Sequence, residues 1–475
     1  MLKLILLLIY LILIISVIFI ERKNPSEALF WILVMICFPF GGAILYMIFG
    51  STLNIKLISR ARGKAENDKA KSFIYDNLEK QKEQLNMSDL ELSDIDNAVI
   101  SFNEVYNESP LTVCDKTELF TNGREHYERL FSDIKNAKDS IYVNFYTIHN
   151  DRVGNAFLKL LCEKASEGVR VWLMCDFVTS FVGPSKLFKK LKQCGGSIRT
   201  MKPYLTHYRD HRKIVIVDEK IGYIGGMNIG EQYAGLHKVK TPWRDTQLRF
   251  TGQGVFMLIY YFMTDWAFAS TRNEIEAQKE EIFSSIKNKS VVEGNIPCQF
   301  VAGGSYDDKS SIKMCYLSLI RCAKKRLRFQ SPYFIPDESI LDAIKTAIAS
   351  GVKVEVMVPN VKASFFLEPT TNYFLGEILK YGATVYKYDG YVHAKTIVVD
   401  DEICTIGSVN LDIRSLKLND EICGIFYENK FVKSYNEIFD KDIKSCRQYT
   451  YEEFQNRSLK TRIMEKIFIL FAPLM

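Results

Sequence analysis

One eighteen-residue pattern occurs twice in this chain, and its spacing constrains the fold more than any other feature. Residues 211–228 begin His-Arg-Lys-Ile-Val-Ile-Val-Asp and, after six more residues, end Gly-Gly-Met-Asn. Residues 393–410 begin His-Ala-Lys-Thr-Ile-Val-Val-Asp and, after six more residues, end Gly-Ser-Val-Asn. Both copies are H-x-K-x4-D-x6-G-[GS]-x-N, one opening at His211 and the other at His393. The surrounding chain repeats at nearly the same offset. A strand-like run at Ser140–Ile148, a helical stretch at Asn155–Ala165, Gly168 and a strand at Val169–Cys175 match a second series. That series is Arg326–Ile335, Ser339–Ala349, Gly351 and Val352–Val358, so Gly168 and Gly351 are spaced almost as the two motifs are. Strands alternating with helices of this length predict βαβ units on a mixed or parallel sheet. A short pattern in register with such a repeat predicts one αβ unit used twice. We expect an α/β fold of two pseudo-symmetric halves, 109–275 and 276–475, forming one active site.

The residue types suggest the chemistry of that site. Each motif opens a β-branched run, and on a strand positions i and i+2 share a face. His211 therefore projects with Lys213, and His393 with Lys395. The Gly-Gly-x-Asn and Gly-Ser-x-Asn turns allow close backbone approach, and Asn228, Asn410 and Ser408 add polar contacts. Two halves facing each other would converge imidazoles, ammonium groups and amides on one tetrahedral anion, and phosphate fits. One imidazole can attack phosphorus while the other serves as acid and then base, with the cations holding the equatorial charge. No metal or cofactor is called for. Asp218 and Asp400 complete the motifs, although their main role is expected to be holding the local turn by accepting backbone N–H bonds. A carboxylate should orient each imidazole. Asp245 is the candidate for His211 and Glu421 for His393, each preceding a strand-like run after its motif. The unrepeated His126, His149, His207 and His237 are read as structural.

Two apolar runs precede these halves. Leu4–Ile20 and Ala28–Gly50 carry no charge and are long enough to cross a hydrocarbon core, the first barely and the second with some tilt. With the polar turn between them they predict a transmembrane hairpin over 1–53. A cleaved signal peptide is the competing reading of the first run, and the second run following at once argues against it. Lys56, Arg60, Arg62, Lys64, Lys69 and Lys71 outnumber Arg22 and Lys23, which puts the later chain on the cytoplasmic side of a cell membrane. Eleven cysteines, scattered without a C-x-x-C pair, fit a reducing compartment and argue against a zinc site or disulfide framework. Residues 54–108 read as a polar helical linker. The segment Arg457–Met475 mixes Arg457, Lys460, Arg462 and Lys466 with Ile463, Ile467, Phe468, Leu470 and Phe471. An amphipathic helix on an anionic leaflet and packing on the domain's own core fit it equally. The net charge of +6 suits an anionic lipid surface, and without a strong basic stripe it does not suggest nucleic acid.

The paired motifs resemble the HKD motifs of the phospholipase D superfamily. The likeness is closer to bacterial cardiolipin synthases at Arg209-Asp210-His211-Arg212-Lys213, Trp243-Arg244-Asp245, the run 330–336 and the run 407–415. The stretch 38–50 resembles their membrane segment. The resemblance implies a multi-pass membrane enzyme that transfers a phosphatidyl group from one phosphatidylglycerol to another through a phosphatidyl-histidine, releasing glycerol. It implies His211 and His393 as nucleophile and acid/base, with His211 favoured as nucleophile. Gly226 stands where the superfamily commonly has the serine that Ser408 keeps, so the two halves of the site are unequal. Hydrolysis, or transfer to another headgroup alcohol, is the alternative activity.

Overall fold

The computed structural model describes residues 2–15, 17–18, 25–49, 90–177, 179, 183, 185–201, 209–236, 241–270, 294–304, 307, 309–361 and 365–474. The linker expected over 54–108 lies outside the described residues as far as position 89.

Helices α1 (Leu2–Ile15), α2 (Pro25–Cys37) and α3 (Pro39–Phe49) form the N-terminal segment. The run from Ala28 to Gly50, expected as one spanning helix, is instead broken at Phe38. Pro39 brings no N–H to continue the ladder. Gly42 lies so close to the preceding helix that a Cβ there would sit 2.5 Å from the Val34 carbonyl oxygen. The rings of Trp31 and Tyr46 meet at 5.6 Å, whereas a straight helix would separate those residues by about 22 Å. α3 therefore folds back against α2, and Val17, Trp31, Met35 and Tyr46 form a small buried cluster. No helix among the described residues is long and apolar enough to cross a membrane. Continuous hydropathy matched the composition but hid the bend.

Helix α4 (Asp94–Tyr106), started by a Ser93–Asp96 capping box, leads into the first half. That half runs β1 (Thr112–Phe120), α5 (Gly123–Asn136), β2 (Ser140–Phe145), α6 (Arg152–Ser166), β3 (Arg170–Asp176), α7 (Ser185–Gln193), β4 (Ser197–Met201), β5 (Lys213–Val217), β6 (Ile221–Gly225), β7 (Trp243–Arg244), β8 (Gln247–Gly252) and α8 (Gly254–Ala269). The second runs β9 (Ile296–Gly303), α9 (Ser311–Cys322), β10 (Arg326–Gln330), β11 (Phe334–Ile335), α10 (Glu338–Ala349), β12 (Lys353–Pro359), α11 (Leu367–Leu379), β13 (Thr384–Tyr388), β14 (Tyr391–Val392), β15 (Thr396–Val399), β16 (Ile403–Gly407), β17 (Leu411–Asp412), α12 (Ile413–Lys417), β18 (Glu421–Phe426), α13 (Asn429–Ile443), β19 (Cys446–Tyr449), α14 (Tyr451–Gln455) and α15 (Leu459–Phe468).

Among the described residues, fifteen strands make one mixed sheet in the order β4-β3-β2-β5-β6-β8-β1-β9-β18-β16-β15-β10-β12-β13-β19. The order is the same outward in both directions from the antiparallel β1–β9 pair, apart from the added edge strand β19. The parallel trio β2, β3 and β4 corresponds to β10, β12 and β13. Helices cover both faces, so central strands are apolar throughout, as two-sided burial requires. On β5, Ile214 and Ile216 join a core beneath α8 and α13, while Val215 and Val217 face α5 and α6. On β18, Ile422 and Phe426 join that same α8/α13 core, so a single hydrophobic layer runs across both halves. Cys423 and Ile425 point the other way, into the core that α9 to α11 close.

Candidate active site

Two short backbone bridges between the halves build the site. In the first, Arg209–Asp210 lies beside Asp420: His211 N donates to the Asp420 carbonyl at 2.9 Å, and Asp420 N donates to Arg209 O at 2.8 Å. In the second, β7 pairs with β14 in parallel, and His393 N donates to Arg244 O at 2.6 Å. Each histidine is thus delivered next to a carboxylate that opens or precedes a strand of the opposite half.

The pairing expected from sequence is therefore reversed. His211 Nδ1 lies 2.9 Å from Glu421 Oε1 and 3.1 Å from Oε2, and His393 Nδ1 lies 2.7 Å from Asp245 Oδ2. Position after each motif in the sequence suggested the wrong partners because the carboxylates cross over. With Nδ1–H given to a carboxylate, the second nitrogen of each ring, Nε2, is the basic one. Both side chains are nearly buried, 11% exposed for His211 and 12% for His393.

Electrostatics couple the halves. Burial lowers His211 below the usual histidine value against the opposing pull of Glu421, and the charges of Lys213 and Lys395 both push it the same way as burial. Burial, then Lys395, lowers His393 to about 4 against the pull of Asp245, and Lys213 adds to it. Each imidazole therefore feels the ammonium of both halves. Burial brings Lys213 down to about 7 and Lys395 to about 8. Burial pushes Glu421 and Asp245 up, yet both stay below the ordinary carboxylate value because His211 and Lys213, or His393 and Lys395, face them. The result is a compact cluster of charges from which water is largely excluded. Each lysine also donates to the carbonyl of its own motif histidine, Lys213 to His211 O and Lys395 to His393 O.

The remaining sequence candidates divide. Ser408 Oγ donates to Glu421, and Ile422 N donates to Ser408 Oγ at 3.0 Å, so this serine holds the carboxylate behind His211. Its counterpart Gly226 has no such role, since a Cβ there would lie 2.1 Å from Asp245 Oδ1. Asn228 is spent on the scaffold: its Oδ1 accepts from Thr147 N at 3.2 Å and its amide donates to Tyr233 Oη at 2.8 Å. Asn410 Oδ1 is buried without a hydrogen-bond partner among the described residues. Asp218 and Asp400 do not belong to the reacting cluster. Asp218 accepts the backbone N–H groups of Lys138, Asp139 and Ser140 and stands at φ 50°. Asp400 accepts those of Lys324, Lys325 and Arg326 and stands at φ 52°. They cap the far ends of β5 and β15, each about 17 Å along the strand from its lysine. Their contacts are those of the turn-holding residues expected from the sequence.

Several contributors were not singled out from sequence. Tyr146 meets His211 edge-on at 5.0 Å, while Trp243 at 5.1 Å and Tyr391 at 5.9 Å wall in His393. Fully buried Arg212 donates to Asp265, to Glu421 O at 3.1 Å and to Gly303 O at 3.1 Å, tying the halves behind the site. Its position between His211 and Lys213, facing the opposite side of the strand, was the available signal. His126 is buried in an aromatic nest of Phe120, Tyr127 and Tyr223, as a structural residue would be. His207 and His237 lie outside the described residues.

This geometry, two oriented imidazoles each feeling both buried ammonium groups, can be set beside known proteins. A family model described as cardiolipin synthase, PLD-like domain, matches residues 130–238 and 316–443. A phospholipase D-nuclease N-terminal model matches residues 8–51. The cardiolipin synthase of Listeria welshimeri is 36% identical over 470 residues, covering 96% of this chain and 95% of that protein. The major cardiolipin synthase ClsA of Bacillus subtilis is 36% identical over 473 residues, covering 97% and 96%. The chain belongs to the cardiolipin synthase family. It is an enzyme of the phospholipase D superfamily, a phosphatidyltransferase. Among solved structures, a phosphatidylserine synthase from Haemophilus influenzae matches with a TM-score of 0.62 at 16% identity, covering 79% of this chain and 97% of that one. That likeness concerns the fold.

Proposed function

We propose that the chain joins two phosphatidylglycerol molecules, with His211 as nucleophile and His393 as acid and base. His211 Nε2 attacks the phosphorus of the first lipid. The bond from phosphorus to the glycerol oxygen breaks, and glycerol leaves with a proton from His393, whose imidazolium form the bound phosphodiester anion favours. A hydroxyl of the second phosphatidylglycerol then gives its proton to His393, and its oxygen displaces His211 from phosphorus, leaving cardiolipin. Lys213 and Lys395 hold the charge of the phosphoryl oxygens, Asp245 and Glu421 keep the imidazoles in the required tautomer, and Ser408 fixes Glu421. The crossed carboxylate–imidazole pairs, at 2.9 Å and 2.7 Å, are the observation that carries this reading. The near-burial of both rings favours transfer to an alcohol over loss to water.

The proposal includes a membrane anchor over residues 2–49. The apolar runs and the cations after Gly50 support a membrane anchor with the catalytic halves on the cytoplasmic side, the second run entering as the folded-back pair α2–α3 and not as a straight crossing.

The test is incubation of purified enzyme with labelled phosphatidylglycerol alone, for wild type, His211→Ala and His393→Ala. Wild type should release cardiolipin and glycerol, and both variants should lose turnover. A denaturing quench at alkaline pH, where the histidine–phosphorus bond survives, should retain lipid label on His393→Ala protein and none on His211→Ala. Wild type giving no cardiolipin, or either variant keeping full turnover, overturns the proposal.

A further inference from the structure

Helix α15 and the turn after it carry two apolar faces, and only one of them is used inside the domain. Phe468 and Ala472 are buried, as is Glu465, which is paired with Arg457 at 2.6 Å. At about 100° per residue, Ile463 and Ile467 fall on the opposite side of the helix, and Leu470 and Phe471 continue their stripe. These four are 49%, 45%, 76% and 49% exposed. Lys460 lies in line with the stripe before Ile463, Lys466 borders it with Arg462 beyond, and all three are exposed. A helix facing its own domain needs one apolar side; a second, bordered by cations, is the pattern of a helix lying in a membrane interface.

A second exposed segment lies beside the helix. Phe365, 67% exposed, follows β12, and its ring meets Phe468 at 5.3 Å. That places it at the carboxyl end of the parallel strands β10 and β12. Thr396, three residues after His393, pairs with Gln330 at the end of β10, so the histidines open on this same rim. Tyr333 in the same rim contacts Tyr391 through hydroxyls 3.1 Å apart, and Tyr391 stacks on His393.

We propose that Phe365 and the outer stripe of residues 463–471 dock on an anionic bilayer, setting the rim of the active site against the lipid surface. This rests on the reading that the substrate is an anionic phospholipid. The charge of the flanking cations selects an anionic bilayer over an apolar protein partner. Docking here would let a lipid headgroup reach the histidines while its acyl chains stay in the membrane.

The test uses the full chain in vesicles of phosphatidylglycerol and phosphatidylcholine. Phe471→Trp, placed in a Trp31→Phe background, should lose fluorescence when the vesicles contain brominated acyl chains. The triple variant Phe365→Ser, Leu470→Ser, Phe471→Ser should raise the apparent KM for vesicle phosphatidylglycerol about tenfold. Its turnover of monomeric short-chain phosphatidylglycerol should stay within twofold of wild type. Lys460→Gln with Lys466→Gln should reduce the dependence of rate on the anionic lipid fraction. Unquenched fluorescence from the introduced indole, or equal effects on vesicle and monomeric substrate, overturns the docking proposal. A patch covered by a second copy would give no quenching and a doubled mass that the triple variant halves, which also overturns it. Failure of the wild type on monomeric substrate would instead count against the proposed reaction.

Discussion

Glu421→Gln and Asp245→Asn test whether the carboxylates serve the histidines of the opposite half. Glu421 accepts the His211 Nδ1–H through contacts of 2.9 and 3.1 Å, and it is itself held by Ser408 and by Asn419 Nδ2 at 3.4 Å. A buried hydrogen bond to a charged group contributes about 1.5–3 kcal/mol, so its loss should cost about 10- to 150-fold in turnover. A glutamine that turns its amide nitrogen toward His211 would also favour the wrong tautomer, which makes that range a floor. The same change moves the pH profile. Glu421 raises the His211 pKa against burial, so its removal lets that value fall further and shifts the acid limb of a neutral-histidine requirement to lower pH. The assay is the alkaline-quench trap run beside turnover. Glu421→Gln should reproduce the His211→Ala pattern and Asp245→Asn the His393→Ala pattern, whichever histidine attacks. Combining Glu421→Gln with His211→Ala should cost little beyond His211→Ala alone, because the two residues act as one unit. If Glu421→Gln instead matches His393→Ala, or leaves the rate within twofold, the crossed pairing does not operate in catalysis.

Asp400→Asn should cost about 1–3 kcal/mol of stability by weakening the acceptor of three backbone N–H groups, seen as a lowered Tm, with kcat within threefold of wild type. Gly226→Ala should fold but lose at least about tenfold in kcat, since its Cβ would lie 2.1 Å from Asp245 Oδ1 and displace the carboxylate behind His393. Because burial lowers Lys213 to about 7 and Lys395 to about 8, kcat/KM should fall as pH rises through that range and the ammonium groups lose their protons. His126 is lowered by burial to about 3, so it is neutral in the fold; below about pH 6.5 only the unfolded chain gains a proton, and stability should fall by about 1.4 kcal/mol per pH unit toward pH 3. His126→Phe should flatten the fall in Tm between pH 6.5 and 4.5.

The repeat was legible because it is written in local terms. β-Branched runs, glycines after helices and the doubled motif each depend on near neighbours, and β2, β3, β5, β10, β12 and β15 stand where those patterns put them. The structural role of the motif aspartates was legible for the same reason, since Asp218 and Asp400 act on turns beside their own strands. The break at Phe38 was partly written too, in Pro39 and the Gly41-Gly42 pair. A window of uninterrupted hydropathy averages over that signal. Backbone direction depends on which residues lack a donor or a Cβ, and composition does not report it.

The carboxylate pairing could not be read in this way, and sheet order alone would also have led to the wrong partners. Counting along the sheet, β5 after His211 is two strands from β8 after Asp245, but five strands from β18, which Glu421 opens. At about 4.8 Å per strand, that is about 10 Å against about 24 Å. The nearer carboxylate is nonetheless not the partner, because His211 N is bonded to Asp420 O. The sheet must therefore curl about the β1–β9 junction until the two rims face each other across the site. Once the rims meet, the pseudo-two-fold relation makes the exchange reciprocal: a bridge from Asp210 to Asp420 implies one from the segment before His393 to the segment before Asp245, as β14 and β7 provide. The crossing also means that neither half holds an oriented imidazole by itself. Each supplies a histidine and the carboxylate for the other, so displacing one half by about 1 Å should disable both histidines together.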